Sequence, residues 1–117
     1  FTLPDALNEL VLLNRRLLYE FLFRAVRETL LTLGRSNLGV ELGFFSVLHT
    51  WGQLMQFHPH VHCVIPACGV TSSGDAKVFT DRYLLPDRAL SAVFRGKFIS
   101  LVKRSYAKLR LPDSIPD

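Results

Sequence analysis

The chain has 117 residues, 49% of them hydrophobic and 21% charged, which supplies one packed core and excludes a disordered chain. Its net charge is +4 and its pI about 9.4, so nucleic acid is the first acidic partner to consider. Charged residues interrupt every long apolar run, which excludes a membrane span. The two cysteines, Cys63 and Cys68, are too few for a disulfide framework. We expect them to be reduced thiols of a soluble intracellular protein.

The first third of the chain is predicted to be helical after a short extended start. Residues 1–3 favour a strand that Pro4 stops, and residues 5–13 form a short helix. Asn14 is a suitable N-cap for a longer helix over residues 15–33, and Gly34 is its expected end. The apolar side chains of the longer helix recur at helical spacing, so we interpret it as a core element.

The remainder of the chain is predicted to form strands and a final helix. Long strands over residues 39–50 and 58–66 are joined by residues 51–57, and a small hairpin pairs 68–71 with 77–80. A long amphipathic helix then covers residues 87–110. This order predicts an α+β fold, an antiparallel sheet with helices packed on it.

The ends of the chain suggest part of a longer protein. The sequence opens on Phe1 rather than on an initiating Met, and residues 111–117 are a proline-containing segment that we expect to be a flexible tail. We therefore expect residues 1–117 to be a single, partial domain.

The most informative motif is HPHVH, residues 58–62, in the second long strand. Because successive side chains of a strand point to opposite faces, His60 and His62 share a face and Val61 lies on the other. The preceding strand carries His49, which antiparallel pairing can place opposite either of them. Three imidazoles on one face predict a metal site with His49, His60 and His62 as ligands.

Other polar residues around this motif are weaker candidates. His58 shares the face of His60 but precedes Pro59 at the mouth of the strand. Histidine ligands are usually oriented by a second hydrogen bond, for which Thr50, Gln53 and Gln56 are nearby candidates. A purely structural role for the histidines is the alternative interpretation.

The final predicted helix is strongly basic. Seven of the 14 Lys and Arg residues lie between residues 88 and 110, with no Asp or Glu among them. Helical spacing places four of them on the arc opposite the apolar stripe: Arg88, Arg95, Lys103 and Arg110. Such a face is either a solvated surface or a set of DNA phosphate contacts, and the sequence leaves both interpretations open.

Four segments together resemble the HUH-endonuclease transposases of rolling-circle insertion sequences, in the two-tyrosine class. They are FTLP at residues 1–4, VLHTWGQ at 47–53, HPHVHCVIP at 58–66 and FRGKF at 94–98. HUH denotes a His, a hydrophobic residue and a His, here His60, Val61 and His62. The likeness spans nearly the whole chain, and HTWGQ followed closely by HPHVH is specific.

The resemblance implies a ferredoxin-like or RRM-like HUH nuclease core, incomplete in this chain. It implies that His60 and His62 bind a divalent ion, Mg²⁺ or Mn²⁺, while His49 is our geometric proposal for the third ligand. It further implies a transposase that nicks and joins single-stranded DNA at transposon ends through a 5′-phosphotyrosine intermediate. Such a protein acts on DNA in the cytoplasm of a prokaryotic cell, without a membrane.

The paired nucleophilic tyrosines of that family lie in a downstream motif that this sequence does not contain. Tyr19, Tyr83 and Tyr106 are isolated, so no tyrosine is assigned as catalytic. One alternative is therefore a catalytically inactive remnant of a transposase that only binds DNA or is structural. Another is a metal hydrolase with a water nucleophile, although no Asp or Glu close to the HxH motif offers a general base.

Overall fold

Helices cover one side of antiparallel strands in the computed structural model, which describes residues 1–80 and 84–112. The helices are α1 Asn8–Leu13, α2 Arg15–Leu33 and α3 Asp87–Arg104. The strands are β1 Val40–Leu42, β2 Phe45–Trp51, β3 Phe57–Val64, β4 Cys68–Thr71 and β5 Ala76–Val78. They form two antiparallel sheets, β1–β4–β5 and β2–β3, so the predicted α+β class is confirmed.

Helix α2 is the centre of the core and has the predicted bounds. Its buried face packs against α3, which contributes Phe94, Phe98 and Leu101. Thr29 is the one polar residue in the buried stripe, and its hydroxyl donates to the Ala25 carbonyl at 2.6 Å, so no donor is left unpaired. The members of the stripe are Leu18, Phe21, Leu22, Ala25, Val26, Thr29, Leu30 and Leu33.

Gly34 follows the last residue of α2 as predicted, but it does not stop the helical backbone. The chain continues through one π-helical turn, Gly34–Leu38, and Gly39 adopts the left-handed conformation with φ 68° that stops it. Gly34 is needed for space instead, because a Cβ atom there would lie 3.0 Å from both the Val40 carbonyl oxygen and the Leu42 side chain. The missing side chain lets β1 pack directly against the end of α2.

Asn14 occupies the N-cap position of α2 as predicted, but its side chain does not cap the helix. Its side-chain amide donates to the carbonyls of Leu10 and Arg110, and its oxygen accepts from the Arg110 N–H at 2.8 Å. This bridge holds Arg110 beside the start of α2, the chain is already extended at Leu109, and α3 ends at Arg104 rather than at the predicted Arg110. A helical Arg110 could not offer both backbone groups to one side chain.

The long strand predicted for residues 39–50 is two strands. Gly43 and Phe44 interrupt it, because a glycine inside a strand weakens the ladder. β1 pairs with β4, and β2 pairs with β3 in the other sheet. The predicted second strand and the small hairpin are confirmed with shifted ends.

The first residues form the edge beyond β3. The Phe1 nitrogen donates to the Val61 carbonyl and the Val61 N–H donates back to Phe1, so that Thr2 pairs with His60. The Phe1 ring packs against the Phe94 ring of α3, with centroids 5.0 Å apart. The extended start predicted for residues 1–3 thus joins the sheet to the helices.

Several expectations fall at the limits of the described residues. Tyr83 lies outside the described residues, and so do residues 113–117, which make up most of the expected tail. Pro112, near the beginning of that tail, is buried. Among the described helices, none combines the length and the apolar character needed to cross a membrane.

We expect Gly69→Ala to destabilise the fold by about 1–3 kcal/mol, because the added methyl group overpacks β4 against β1. Its Cβ would lie 2.5 Å from Val40 Cγ2 and 2.8 Å from the Glu41 carbonyl oxygen. Gly96→Ala, in α3 where a Cβ meets nothing within 4 Å, is the control and should stabilise by about 0.5–1 kcal/mol. Urea denaturation measures both, and equal stabilities for the two variants would contradict the close approach.

Candidate metal centre

The β2–β3 hairpin brings together the three histidines that the sequence singled out. His49 is paired with His60, and Val47 is paired with His62, so all three imidazoles lie on the same face of adjacent antiparallel strands. Val61, between the two β3 histidines, is 3% exposed and faces the helices. The predicted geometry is therefore confirmed, while the binding of a metal stays a prediction.

The three rings are close enough to share one cation. One ligand nitrogen of each of His49, His60 and His62 lies within 4.8 Å of the others, and the ring centroids are 4.5–5.1 Å apart. Ligands bound at about 2.1 Å to one ion lie about 3–3.5 Å from one another, so small ring rotations complete the site. Three neutral imidazoles are a suitable donor set for a first-row divalent ion.

Pro59 creates an irregularity directly beside these histidines. His49 pairs with His60, but Trp51 pairs with Phe57, so His58 and Pro59 together lie opposite Thr50. This is a β-bulge, and proline favours it because proline has no N–H to donate to the ladder. The bulge changes the role of His58, which the motif alone places on the face of His60.

The bulge fixes the tautomer of His60. Its Nδ1 lies 2.7 Å from the His58 carbonyl oxygen. A carbonyl only accepts hydrogen bonds, so Nδ1 carries the proton and Nε2 keeps a free lone pair for a metal. Among the described residues, no hydrogen bond joins Thr50, Gln53 or Gln56 to a histidine, and Gln56 instead accepts from the Leu54 N–H at 3.0 Å.

His58 lies outside the three-histidine group. Its Nδ1 is 3.8 Å from a carboxylate oxygen of Asp5, which does not line the cleft. Its ring is 5.1 Å from that of His60, but its nitrogens do not converge with the other three ligand atoms. His58 therefore orients His60 through its backbone and pairs with Asp5 through its side chain.

The pKa of His62 lies below its ordinary value of 6.5. The main cause is the displacement of water from the ring by its neighbours, and His49 and His60 add to it because a second positive imidazole nearby is unfavourable. His62 is consequently protonated to a smaller extent than an isolated histidine at the same pH. A neutral imidazole is the form that binds a metal.

The rim of the cleft was missed by the sequence reasoning. The turn after β2 places Trp51, Gln53, Leu54 and Gln56 around the histidines. The signal was present in the sequence as WGQLMQ, a stretch with apolar and aromatic residues of which only Gln53 and Gln56 were considered beside the histidines. Apolar side chains in a turn usually have a partner to cover them.

The four predicted DNA-contacting residues are exposed, and three of them lie on α3. Arg88, Arg95 and Lys103 lie on the helix, and Arg110 lies in the extended segment after it. None forms an ion pair with another described residue. Arg95 borders a groove that also contains Thr2, which pairs with His60 at the edge of the hairpin.

The described tyrosines are not part of the cleft. Tyr106 is exposed in the turn after α3, and Tyr19 is half-buried against the core on α2. Neither lines the space around the three histidines.

The fold and the site define an α+β domain with a cluster of three imidazoles on an open sheet face. A family model described as "Putative transposase" (Y2_Tnp) matches residues 43–115, more than half of the chain. The chain belongs to this transposase family.

Two curated proteins show the same relationship. The "Putative transposase y4qJ" of Sinorhizobium fredii is 42% identical over 109 residues, which cover 91% of this chain and 27% of that protein. The "Transposase for insertion sequence element IS801" of Pseudomonas savastanoi is 40% identical over 74 residues, 63% of this chain and 18% of that protein. The chain thus spans about a quarter or less of the length of these relatives. No solved structure was found to match it.

We expect the His62 ring to titrate with a midpoint below 6.5 in two-dimensional NMR spectra of the histidine side chains. In His49→Gln and His60→Gln the midpoint should rise towards 6.5, because one positive neighbour is lost. His58→Gln is the matched control and should leave it unchanged. A midpoint at or above 6.5 in the unaltered chain, or equal shifts in all three variants, contradicts the interpretation.

Proposed function

We propose that this chain provides the cation-binding part of a transposase active site that nicks and joins single-stranded DNA during rolling-circle transposition. The observation that carries the proposal is the convergence of His49, His60 and His62 on the open face of β2–β3. Membership of the transposase family supports DNA as the partner. The place of action is then the DNA of a prokaryotic cytoplasm.

The residues present fit a divalent ion. His49, His60 and His62 would hold it, and when bound it supplies a Lewis acid for a phosphoryl oxygen of the DNA. We propose Mn²⁺ or Mg²⁺ as the ion. Because imidazole is a softer donor than carboxylate or water, a set of three imidazoles favours Mn²⁺ over Mg²⁺.

The protein groups prepare this site without a metal. The His58 carbonyl orients the His60 ring and fixes its proton on Nδ1, and the lowered pKa of His62 favours the neutral form of that ring. Strand pairing fixes the backbone positions of all three histidines. These features reduce the reorganisation that binding requires.

We propose a tyrosine outside this chain as the nucleophile. A tyrosine hydroxyl that attacks the phosphodiester forms a phosphotyrosine and releases the 3′-hydroxyl, so the bond energy is conserved for later joining. No described tyrosine lines the cleft, and the two relatives are several times longer than this chain. A water-based hydrolase is disfavoured, because none of the described residues that line the cleft carries a carboxylate for a general base.

The DNA strand is expected to contact the basic side chains as well. Arg88, Arg95, Lys103 and Arg110 are exposed and have no described acidic partner, which leaves them available to phosphate groups. Of these four residues, Arg95 borders the groove that contains Thr2, which lies at the edge of the hairpin.

We expect Mn²⁺ to bind more tightly than Mg²⁺ in calorimetric titrations of this chain, with affinity falling as the pH drops and the imidazoles become protonated. His49→Gln, His60→Gln and His62→Gln should each weaken Mn²⁺ binding by at least about tenfold, since each removes one ligand. His58→Gln is the control and should retain most of the affinity. Equal losses in all four variants would rule out the assignment of ligands.

A chimera tests the transposase chemistry. We expect the y4qJ protein with its matching segment replaced by this chain to form a covalent adduct with labelled single-stranded transposon-end DNA and Mn²⁺ on a denaturing gel. His60→Gln in the chimera should abolish the adduct, and His58→Gln should retain it, because only the former removes a ligand.

The isolated chain is expected to form no adduct in the same assay. A covalent band from it that disappears in Tyr106→Phe would show that the nucleophile lies within these residues, against the proposal. If the His60→Gln chimera forms as much adduct as the unaltered chimera, the proposed role of the histidines in the reaction is wrong.

A further inference from the structure

An apolar rim borders the three-histidine cleft on one side. It consists of Trp51 and Leu54, which line the cleft, and of Met55, which follows Leu54 in the same turn; their exposed fractions are 57%, 87% and 80%. An isolated exposed apolar side chain is ordinary, but three beside a cleft form a patch that marks a contact surface. The patch belongs to the same cleft wall as His49, because Trp51 follows it by two residues on β2.

The rim is a structured turn. The Gly52 N–H donates to the Gln56 carbonyl at 2.8 Å, the Met55 N–H donates to Gly52, and the Leu54 N–H donates to the Gln56 side chain. Met55 has a positive φ of 63°, which is unfavourable for a residue with a side chain. The turn thus holds apolar side chains towards solvent at the cost of backbone strain.

The indole of Trp51 extends the surface of the histidines. Its ring is nearly parallel to that of His49, with an angle of 10° and centroids 6.1 Å apart. A flat, exposed aromatic face beside a cation site is suited to a planar partner. Gln53 and Gln56, on the same cleft wall, carry amides that can donate to and accept from such a partner.

We propose that Trp51, with Leu54 and Met55 around it, is a stacking platform for an unpaired nucleobase next to the phosphate that lies at the histidines. The inference deepens the proposed function and rests on it. It assigns to the cleft a preference for single-stranded DNA, because a base within a duplex has both faces covered by its neighbours.

The surroundings of the rim favour a nucleic acid over a protein as the occupant. The chain carries a net charge of +4, and no acidic side chain occurs among the described residues that line the cleft. An anionic strand with flat bases matches imidazoles beside an indole, whereas a hydrophobic protein segment would leave the histidines without partners.

Trp51 is the single tryptophan of the chain, so its fluorescence reports on the platform directly. We expect a short oligothymidylate to quench it in a saturable manner in EDTA, where no metal is bound, and a duplex of equal length to quench it much less. Absence of quenching at oligonucleotide concentrations that saturate binding would overturn the platform.

Variants measured by anisotropy of a labelled oligothymidylate give the second test. Trp51→Ala should weaken binding on the order of tenfold, and Trp51→Phe should restore most of the affinity, because stacking of one base is lost and regained. Phe45→Ala is the matched control, since Phe45 is 61% exposed at the opposite end of β2 and should have little effect. Equal losses for Trp51→Ala and Phe45→Ala would overturn the assignment.

The salt dependence separates stacking from charge. Trp51→Ala should leave the slope of log affinity against log salt unchanged, whereas Arg95→Glu should reduce it, because only phosphate contacts release counterions. A slope that falls equally in both variants would contradict the stacking role.

Failure of this inference can be told from failure of the proposed function. If the oligonucleotide quenches Trp51 but the chain binds no Mn²⁺, the proposed metal site is wrong and the stacking platform stands. If the chimera forms the adduct but Trp51→Ala has no effect on DNA affinity, the stacking platform is wrong and the proposed transposase function stands. Sedimentation tests whether a second copy of the chain covers the apolar rim. If the chain is a dimer that Trp51→Ala dissociates while DNA affinity is unchanged, the proposal is overturned.

Discussion

The register of the β2–β3 hairpin is the constraint on which the candidate site depends. Leu48 pairs with Val61, and both face the helices, with Val61 buried to 3% exposure. Because the side chains of a strand alternate, a slip of one residue would turn His60 and His62 into the core and Val61 out to solvent. The burial of one apolar face therefore fixes the histidines on the other.

Pro59 adds a second level of control to this regular ladder. Without an N–H it cannot continue the pairing, so the hairpin takes up a bulge opposite Thr50. The bulge places the His58 carbonyl against Nδ1 of His60, and His58 itself is directed towards Asp5. Three histidines at alternate positions of one motif thus acquire two different roles.

The helices explain why the histidine face stays open. α2 packs behind β3, α3 packs on α2, and the Phe1 ring joins α3 to the strand edge, all on the side of Val61. The opposite face carries imidazoles together with exposed apolar side chains, among them Val47 and Trp51. A surface of this kind is suited to the proposed binding of a cation and of flat or apolar groups of a DNA strand.

The sequence alone determined the α+β class, the bounds of α2 and the three-histidine face, because hydrophobic periodicity and strand parity are local properties. It did not predict the division of residues 39–50 between two sheets or the end of α3 at Arg104, which depend on β4 and on the bridge from Asn14 to Arg110. The separate role of His58 and the rim at Trp51 were also decided by the tertiary structure. Contacts between residues distant in sequence determine which backbone groups are paired and which side chains are buried, and a local sequence pattern does not contain this information.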